Sequence, residues 1–153
     1  MLQENIAEDK IYNRVLRFAT LRPRSEKEIK FWFQRKKVPQ DIQNDVFNRL
    51  KNAHFVDDTE FAKWWVDQRL TFRPKSKRAL SIELSQKGVD REIISQALEA
   101  VDDKAVASVL AKRRLMRLAD YPPDVQRQKV SDFLARRGFS WETIREVVES
   151  HVE

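Results

Sequence analysis

The sequence has very little of several residue types on which common functional sites depend. Its 153 residues include no cysteine, two histidines and two glycines. Without cysteine the chain can form neither disulfides nor a thiol nucleophile, which is typical of proteins from a reducing compartment. Two glycines cannot build a glycine-rich phosphate loop, and a sheet-rich fold would need more of them in its turns. The two histidines, His54 and His151, lie too far apart in the chain to predict a zinc site.

Long apolar runs are also lacking. The longest stretch without a charged residue is residues 105–111, and a membrane-spanning helix needs about 20 apolar residues. The first residues do not show the basic and then apolar pattern of a signal peptide. We therefore expect a cytoplasmic protein that has no contact with a membrane.

What the chain does contain is charge and helical periodicity. Charged residues make up 35% of the chain, and the net charge is +6. Aromatic residues make up 10%, including nine phenylalanines and four tryptophans, and apolar residues recur at helical spacing. A disordered chain would have few aromatic residues. The composition therefore predicts an all-α fold whose helices have heavily charged outer faces.

A pattern of about 50 residues repeats along the chain. Arg-Pro-Arg-Ser at residues 22–25 returns as Arg-Pro-Lys-Ser at 73–76, an offset of 51. Lys-Gly-Val at 87–89 returns as Arg-Gly-Phe at 137–139, an offset of 50. Each copy has room for three short helices. We predict three tandem three-helix repeats, 1–56, 57–102 and 103–153, stacked into an elongated, curved array.

Capping and turn residues mark the helices inside each repeat. Ser76 is predicted to begin the second helix of repeat 2, and Ser140 the third helix of repeat 3. Gly88 and Gly138 are predicted to end the second helices with a positive φ. Lys37 stands at the corresponding place in repeat 1, so we expect a different or strained turn there.

Positive charge is concentrated in three blocks that follow the repeat. The net charge is +5 in each of residues 22–37, 61–89 and 112–137, and it is −3, −4 and −3 in residues 38–60, 90–103 and 138–153. The basic blocks fall on the second helix of each repeat and on the turn before it. This predicts a basic stripe with the period of the fold. Such a stripe is either solvated surface, a site for a nucleic-acid backbone or a docking surface for an acidic assembly.

Several aromatic residues lie near the basic stripe and could stack on bases. For Phe31, Trp32, Phe72 and Trp141, we interpret core packing as the better explanation. Trp64 and Trp65 are adjacent, so they cannot both point into the core of a helical repeat. One of the two is therefore expected at an interface between repeats or exposed, which makes the pair a candidate contact.

Catalytic chemistry has little support in the sequence. No histidine stands near a paired carboxylate, and no serine lies in a nucleophile elbow. The acidic pairs Asp57–Asp58 and Asp102–Asp103 resemble metal ligands. Each pair directly precedes a predicted helix at the same place in its repeat, so we interpret both as helix caps. We expect a protein that is not an enzyme and uses no metal or cofactor.

The order and spacing of several segments resemble the bacterial RecX family. These segments are residues 55–58, 61–69, 73–76, 83–89, 94–98 and 129–139, and the similarity extends over about residues 10–150. The resemblance implies tandem three-helix repeats with no catalytic site or cofactor. It also implies binding in the groove of the RecA–single-stranded DNA filament. The family inhibits the ATPase, strand-exchange and co-protease activities of RecA, and so regulates homologous recombination, DNA repair and the SOS response.

The chain departs from the family pattern at two places. His54 and Lys37 stand where that pattern has glycine, which leaves the turns of the first repeat open. The family's C-terminal signature makes Arg136 and Arg137 candidates for filament contact. Charge and position add the remaining candidates for filament or DNA binding, which are Arg22, Arg24, Trp64, Trp65, Arg69, Arg73, Lys75, Lys77, Arg78, Arg113, Arg114, Arg117 and Lys129.

Three functions are consistent with the sequence. The leading prediction is a monomeric, non-enzymatic regulator that binds the RecA filament on single-stranded DNA, with weak direct binding to DNA. The alternative is a basic helical protein that binds bare DNA through helix-turn-helix-like repeats. A weaker option is a structural scaffold that binds neither partner.

Overall fold

The computed structural model describes all residues from 1 to 153, and it contains nine α-helices and no β-strand. The helices are α1 (Leu2–Leu21), α2 (Glu26–Arg35), α3 (Gln40–Asn52), α4 (Asp58–Phe72), α5 (Lys77–Gln86), α6 (Arg91–Leu98), α7 (Asp103–Met116), α8 (Pro123–Arg136) and α9 (Trp141–His151). None of them is long and apolar enough to cross a membrane. The prediction of an all-helical protein built from three-helix repeats is confirmed.

Serine side chains begin three helices, two of them where the sequence predicts it. Ser76 Oγ accepts a hydrogen bond from Ala79 N at 3.1 Å at the start of α5, and Ser140 Oγ acts in the same way on α9. At the start of α2, Ser25 and Glu28 form a capping box in which each side chain accepts from the backbone N–H of the other. These bonds satisfy N–H groups that have no partner inside the helix, which fixes where each helix begins.

The first aspartate of each acidic pair is a helix cap. Asp57 Oδ1 accepts from Thr59 N at 2.9 Å, and Asp102 Oδ1 accepts from Lys104 N at 3.0 Å. The capping prediction is therefore confirmed for these two residues. The structure contains no group of three or more side chains that could hold a metal ion.

The second aspartate of each pair has a different role, which the sequence did not predict. Asp58 Oδ1 accepts from Glu26 N at 2.9 Å, and Asp103 Oδ1 accepts from Lys77 N at 2.8 Å. Glu26 and Lys77 are the first residues of α2 and α5, so each aspartate binds the N-terminus of the second helix in the preceding repeat. We call these two contacts the aspartate clasps. They fasten consecutive repeats through a helix-terminal N–H that would otherwise lack a partner.

Four residues adopt a left-handed backbone. Gly88 and Gly138 have φ of 80° and 89°, as predicted for the ends of the second helices. Lys37 has φ of 54°, so repeat 1 keeps the same left-handed turn and carries the steric strain of a side chain there. His54, the other departure from the family pattern, has φ of 62°.

The nine helices form two compact units. Unit 1 consists of Met1–Trp65 and Leu84–Ile94, and unit 2 consists of Val66–Glu83 and Ser95–Glu153. The division therefore runs through all three helices of the middle repeat, α4, α5 and α6, which the sequence did not predict. The repeat boundaries at residues 56 and 102 stay a prediction.

Unit 1 has a core made by its first three helices. Val15 from α1, Ile29 and Phe33 from α2 and Val46 from α3 are at most 1% exposed. Trp32 belongs to the same core, which confirms the interpretation of this residue as a packing residue. The apolar face of each helix is thus buried in the way its spacing predicts.

Unit 2 has a separate core in the last three helices. Leu110 from α7, Val130 and Leu134 from α8 and Val147 from α9 all lie in it. Val109 lies on α7 as well, but its side chain is 47% exposed. The buried residues of α7 are Ala107, Leu110 and Ala111, which share one face of the helix. Val109 lies off this face and is therefore partly exposed.

Three of the aromatic residues interpreted as packing residues lie on the surface instead. Phe31, Phe72 and Trp141 are 59%, 77% and 71% exposed. Phe72 is the last residue of α4 and Trp141 the first of α9, where a helix end leaves a side chain beyond the packed turns. Phe31 directly precedes the buried Trp32 on α2, and neighbouring residues of a helix lie about 100° apart around its axis. The prediction of core packing is wrong for these three residues.

Candidate functional site

One basic candidate of unit 1, Arg22, shares a carboxylate with Lys87. Arg22 Nη2 lies 2.5 Å and Lys87 Nζ 3.4 Å from Glu28 Oε2. The Arg22 guanidinium also lies over the Trp64 ring at 5.2 Å, and Lys87 Nζ lies over the Trp65 ring at 5.3 Å. We call this set the paired cluster. One carboxylate pairs with both cations, and each cation also lies over an aromatic face.

The electrostatics of Glu28 show that the pairing dominates. Burial by itself would raise the pKa of Glu28. Hydrogen bonds from Arg22 and from the Ser25 backbone, together with the charge of Lys87, outweigh burial and hold the pKa below its ordinary value. Glu28 is therefore ionised at neutral pH and holds both cations in place.

Trp64 and Trp65 are both partly buried, and neither is fully exposed. Both rings pack against the fully buried Phe61, with centroids 6.1 and 5.7 Å from it. Trp64 reaches Arg22 of the preceding repeat, so it lies at an interface between repeats as the sequence predicts. Its use as a contact for an external partner stays a prediction.

Arg24 borders an open cleft of about 710 Å³ in unit 1. Its Nε donates to Phe18 O at 2.9 Å, and its guanidinium lies 3.8 Å from the Phe18 ring centroid. Burial lowers the pKa of Arg24, and the neighbouring Arg22 lowers it further. The cleft also contains Glu26 and Glu28, so its positive charge is partly compensated.

A second carboxylate, that of Glu83, forms ion pairs with two candidates of repeat 2. Glu83 Oε1 lies 2.6 Å from Lys75 Nζ, and Glu83 Oε2 lies 3.1 Å from Arg69 Nε. Both basic groups are held by intramolecular ion pairs. A partner would have to compete with Glu83 for them.

The most strongly positive site is a cavity in unit 2 lined by five arginines. These are Arg73, Arg113, Arg114, Arg117 and Arg137, and the volume is about 620 Å³. Its apolar lining comes from Phe72, Pro74, Leu110, Met116 and Phe133, and no carboxylate lines it. We call this site the arginine cavity. All five of its arginines are among the residues that the sequence predicts.

One aromatic ring positions two of the five guanidinium groups. Those of Arg114 and Arg137 lie 5.2 and 5.0 Å from the Phe133 centroid. Arg137 Nη1 also donates to Pro74 O at 3.4 Å. Arg114 Nε is buried and has no hydrogen-bond partner. Burial lowers the pKa of Arg137, and the positive charges of Arg73 and Arg136 lower it further.

The remaining candidates lie outside these clusters. Lys77 and Arg78 line a different cleft of unit 2, which also contains Glu99. Lys129 Nζ lies 5.2 Å from the Tyr121 ring, and Arg136 is exposed. The fifteen predicted residues are therefore spread over several surfaces, and only the arginine cavity gathers as many as five.

The repeat register explains why the two clusters differ. At the offset of 51, Arg22 corresponds to Arg73 and Glu28 corresponds to Ala79, and Lys87 corresponds to Arg137 at the offset of 50. The cations are kept in both places, but the carboxylate is present only in unit 1. The sequence already contained this signal, since Glu28 and Ala79 align without gaps. The roles of Phe72 and Phe133 in the cavity could not be read from spacing.

The tandem three-helix repeats and the arginine cavity together define a helical repeat protein with a strongly basic cavity. Family models agree with the repeats. The second three-helix domain of RecX matches residues 57–98, and the third matches residues 102–148.

The sequence of the chain is also similar to curated regulatory proteins. It is 39% identical to the regulatory protein RecX of Mycobacterium tuberculosis over 140 residues, covering 87% of this chain and 80% of that protein. It is 32% identical to the RecX of Thermobifida fusca over 142 residues, covering 88% and 77%. The chain belongs to the RecX family of regulatory proteins.

A solved structure gives the same fold. The crystal structure of RecX from Lactobacillus salivarius superposes with a TM-score of 0.78, at 22% identity, over 94% of this chain and 95% of that one. At this level of identity the likeness concerns the fold alone. It agrees with the helical repeats described above.

Proposed function

We propose that the protein is a non-enzymatic, cytoplasmic regulator that binds the RecA filament on single-stranded DNA. It inhibits RecA's ATPase, strand-exchange and co-protease activities. The observation that carries the proposal is the arginine cavity, a set of five guanidinium groups with no carboxylate among them. Membership of a family of regulatory proteins supports the RecA filament as the partner.

Recurring basic groups suit a partner that is itself periodic. Each repeat contributes a block of net charge +5, so the chain can engage several phosphates or several filament subunits. Weak contacts that are linked in one chain add up through effective concentration. A chain that bridges neighbouring subunits would hold the filament in one conformational state. Nucleotide turnover would then fall without any contact to the nucleotide.

A titration of purified protein into RecA on single-stranded DNA tests the proposal, with ATP hydrolysis as the readout. We expect inhibition well below one molecule per RecA subunit, because one bridging chain affects several subunits. Unchanged hydrolysis at excess protein would contradict the proposal. The triple variant Arg73→Glu, Arg113→Glu and Arg117→Glu should require a higher concentration for the same inhibition, since it reverses three cavity charges.

A matched variant controls for net charge. Lys112, Arg91 and Arg145 are exposed and lie outside the arginine cavity. Reversing these three to Glu changes the net charge by the same amount as the cavity variant. Inhibition should stay near that of the wild type, and the helical circular dichroism signal should be the same for both variants. Equal loss in both variants would attribute the effect to net charge alone.

The second candidate function is binding to bare DNA without RecA. The cavity favours it as well, because guanidinium groups without internal carboxylates bind phosphates in any nucleic acid. Tight, strongly salt-dependent binding to DNA together with no effect on RecA hydrolysis would favour this function.

A further inference from the structure

The arginine cavity of unit 2 holds positive charge that the protein itself does not balance. None of its five arginines forms an ion pair with a carboxylate, whereas Lys75, in the turn after Arg73, is paired with Glu83. Guanidinium groups held together repel one another unless an anion lies between them. The lowered pKa of Arg137, caused by burial and then by Arg73 and Arg136, is consistent with this repulsion. The cavity therefore offers unbalanced positive charge to a negatively charged ligand.

An aromatic ring orders two arginines of the cavity. Arg114 Nε is buried and has no hydrogen-bond partner. Because solvent does not reach this atom, a ligand in the cavity would accept from the other nitrogens of the guanidinium. The Phe133 ring holds the guanidinium of Arg114 and that of Arg137 against its surface, which orders both groups before a ligand arrives. This arrangement fits an oxyanion that accepts several hydrogen bonds at once.

The apolar part of the cavity distinguishes between kinds of anion. Phe72 is 77% exposed and directly precedes Arg73, and Met116 is 81% exposed. An acidic peptide would use the arginines but would leave these two side chains without a partner. A nucleotide has a phosphate next to a flat apolar base, and bases stack on exposed aromatic rings. In a duplex the bases are already stacked, so only a single strand can offer a base to Phe72.

We infer that the arginine cavity binds a phosphodiester group of single-stranded DNA, with the adjacent base stacked on Phe72. Arg114 and Arg137 donate to the phosphate oxygens, and Arg73, Arg113 and Arg117 surround the flanking backbone. The inference deepens the proposed function and rests on it, since the strand is taken to be the one that the RecA filament carries.

Fluorescence anisotropy of a labelled 15-nucleotide oligo(dT) with the full chain tests the inference in the absence of RecA. Phe72→Ala should weaken binding about 5- to 10-fold, which is the usual size of one base–aromatic stack. Arg114→Lys keeps the charge but loses the planar fork, and it should weaken binding by about 10-fold. The matched control is Lys112→Ala on the same helix, outside the cavity, and it should leave the affinity nearly unchanged.

Several outcomes would overturn the inference. If Phe72→Ala and Arg114→Lys both bind oligo(dT) like the wild type, the cavity is not the site. If Phe72→Ala weakens duplex DNA as much as oligo(dT), base stacking is not what the ring provides. If a ten-glutamate peptide binds the wild type more tightly than oligo(dT) and displaces it, the ligand is an acidic peptide.

The inference and the proposed function fail in different experiments. The same variants are measured in the RecA hydrolysis titration. Wild-type protein that binds oligo(dT) through the cavity but does not inhibit RecA would contradict the proposed function and leave the phosphodiester site standing. Wild-type protein that inhibits RecA, with both variants unaffected in oligo(dT) binding, would contradict only the inference.

Discussion

The paired cluster of unit 1 and the arginine cavity of unit 2 contain residues from the same positions of the repeat. They differ in whether a carboxylate pairs with the cations. In unit 1, Glu28 holds Arg22 and Lys87. In unit 2 the aligned cations are Arg73 and Arg137, and the aligned acidic position is Ala79. The same arrangement is thus used for internal stability in one unit and left available for a ligand in the other.

The difference teaches that net charge by block is a poor guide to binding surfaces. All three basic blocks have a net charge of +5, and block 61–89 contributes Lys87 to the paired cluster and Arg73 to the arginine cavity. Whether a cation has an internal partner depends on the carboxylate beside it and not on the net charge of its block. Substitutions at the left-handed turns and in the two clusters test this difference, and the largest effect is expected at the turns.

The largest effect is expected at the left-handed turns, which both units use. A Cβ on Gly138 would lie 2.6 Å from Ser76 Oγ and 2.9 Å from Ala79 Cβ, and φ is 89° there. Gly138→Ala should lower the free energy of unfolding by roughly 2–4 kcal/mol, because backbone strain adds to the clash. Urea denaturation followed by circular dichroism measures the loss.

Gly88→Ala is the matched change in unit 1. Its Cβ would lie 2.8 Å from Lys27 Cβ, an atom that is fixed to the backbone of α2. We expect a somewhat smaller loss than for Gly138→Ala, because the Gly138 Cβ would clash with both Ser76 Oγ and Ala79 Cβ, and Ser76 is fully buried. Equal losses would show that the buried serine is not the cause.

Restoring the missing carboxylate should convert the cavity into a paired cluster. Ala79→Glu places a carboxylate where unit 1 has Glu28, next to Arg73 and Arg137. We expect oligo(dT) affinity to fall by roughly 10- to 30-fold, because an internal ion pair competes with the phosphate. The variant should be at least as stable as the wild type, since a glutamate three residues after Ser76 completes a capping box. Unchanged affinity in a stably folded variant would contradict the comparison.

Removing the Glu28 carboxylate from unit 1 should leave the cations of the paired cluster without their partner. Glu28→Ala breaks the capping box and leaves Arg22 and Lys87 unpaired, which should lower the free energy of unfolding by about 1–2 kcal/mol at pH 7. The pKa of Glu28 is lower in the folded state, so its contribution is present at neutral pH and is lost as the pH falls through that lowered pKa. The gap between variant and wild type should therefore close below the ordinary pKa of 4.5. A gap that persists at lower pH would argue against the ion pair.

The smallest effect is expected at the turn of repeat 1. Lys37 has φ of 54° where the other repeats have glycine. Lys37→Gly should raise the free energy of unfolding by about 0.5–1 kcal/mol, because glycine adopts this conformation without steric strain. Thermal unfolding measures the shift, and the exposed Lys36→Gly, with φ of −86°, is the control that should not stabilise.

Local features were predictable from the sequence because they depend on neighbours along the chain. The caps at Ser76 and Ser140 and the left-handed glycines at 88 and 138 follow from spacing alone. The aspartate clasps were not predictable, because Asp58 binds a residue 32 positions earlier. The exposure of Phe72 also depends on packing between helices, which periodicity does not describe.

The sequence predicted which basic residues belong to the candidate site, but not which of them lie together in the structure. Of the five cavity arginines, Arg73, Arg113, Arg114 and Arg117 were named from charge, and Arg137 was named from the resemblance to the RecX family. Which basic residues are already held by a carboxylate depends on contacts such as that of Lys75 with Glu83, eight positions away across a turn. Only the position of Glu28, compared with Ala79 in the repeat register, gave a sign of the difference in advance.

The aspartate clasps also show what the first residue of a second helix contributes. In both clasps the donor is the backbone N–H of that first residue, which Glu26 and Lys77 supply. The first residue of α8 is Pro123, and proline has no backbone N–H. The second helix of repeat 3 therefore cannot take part in a clasp of the same kind through its first residue. An aspartate bound at this end of α8 would have to accept from a later N–H of the first turn, such as that of Asp124.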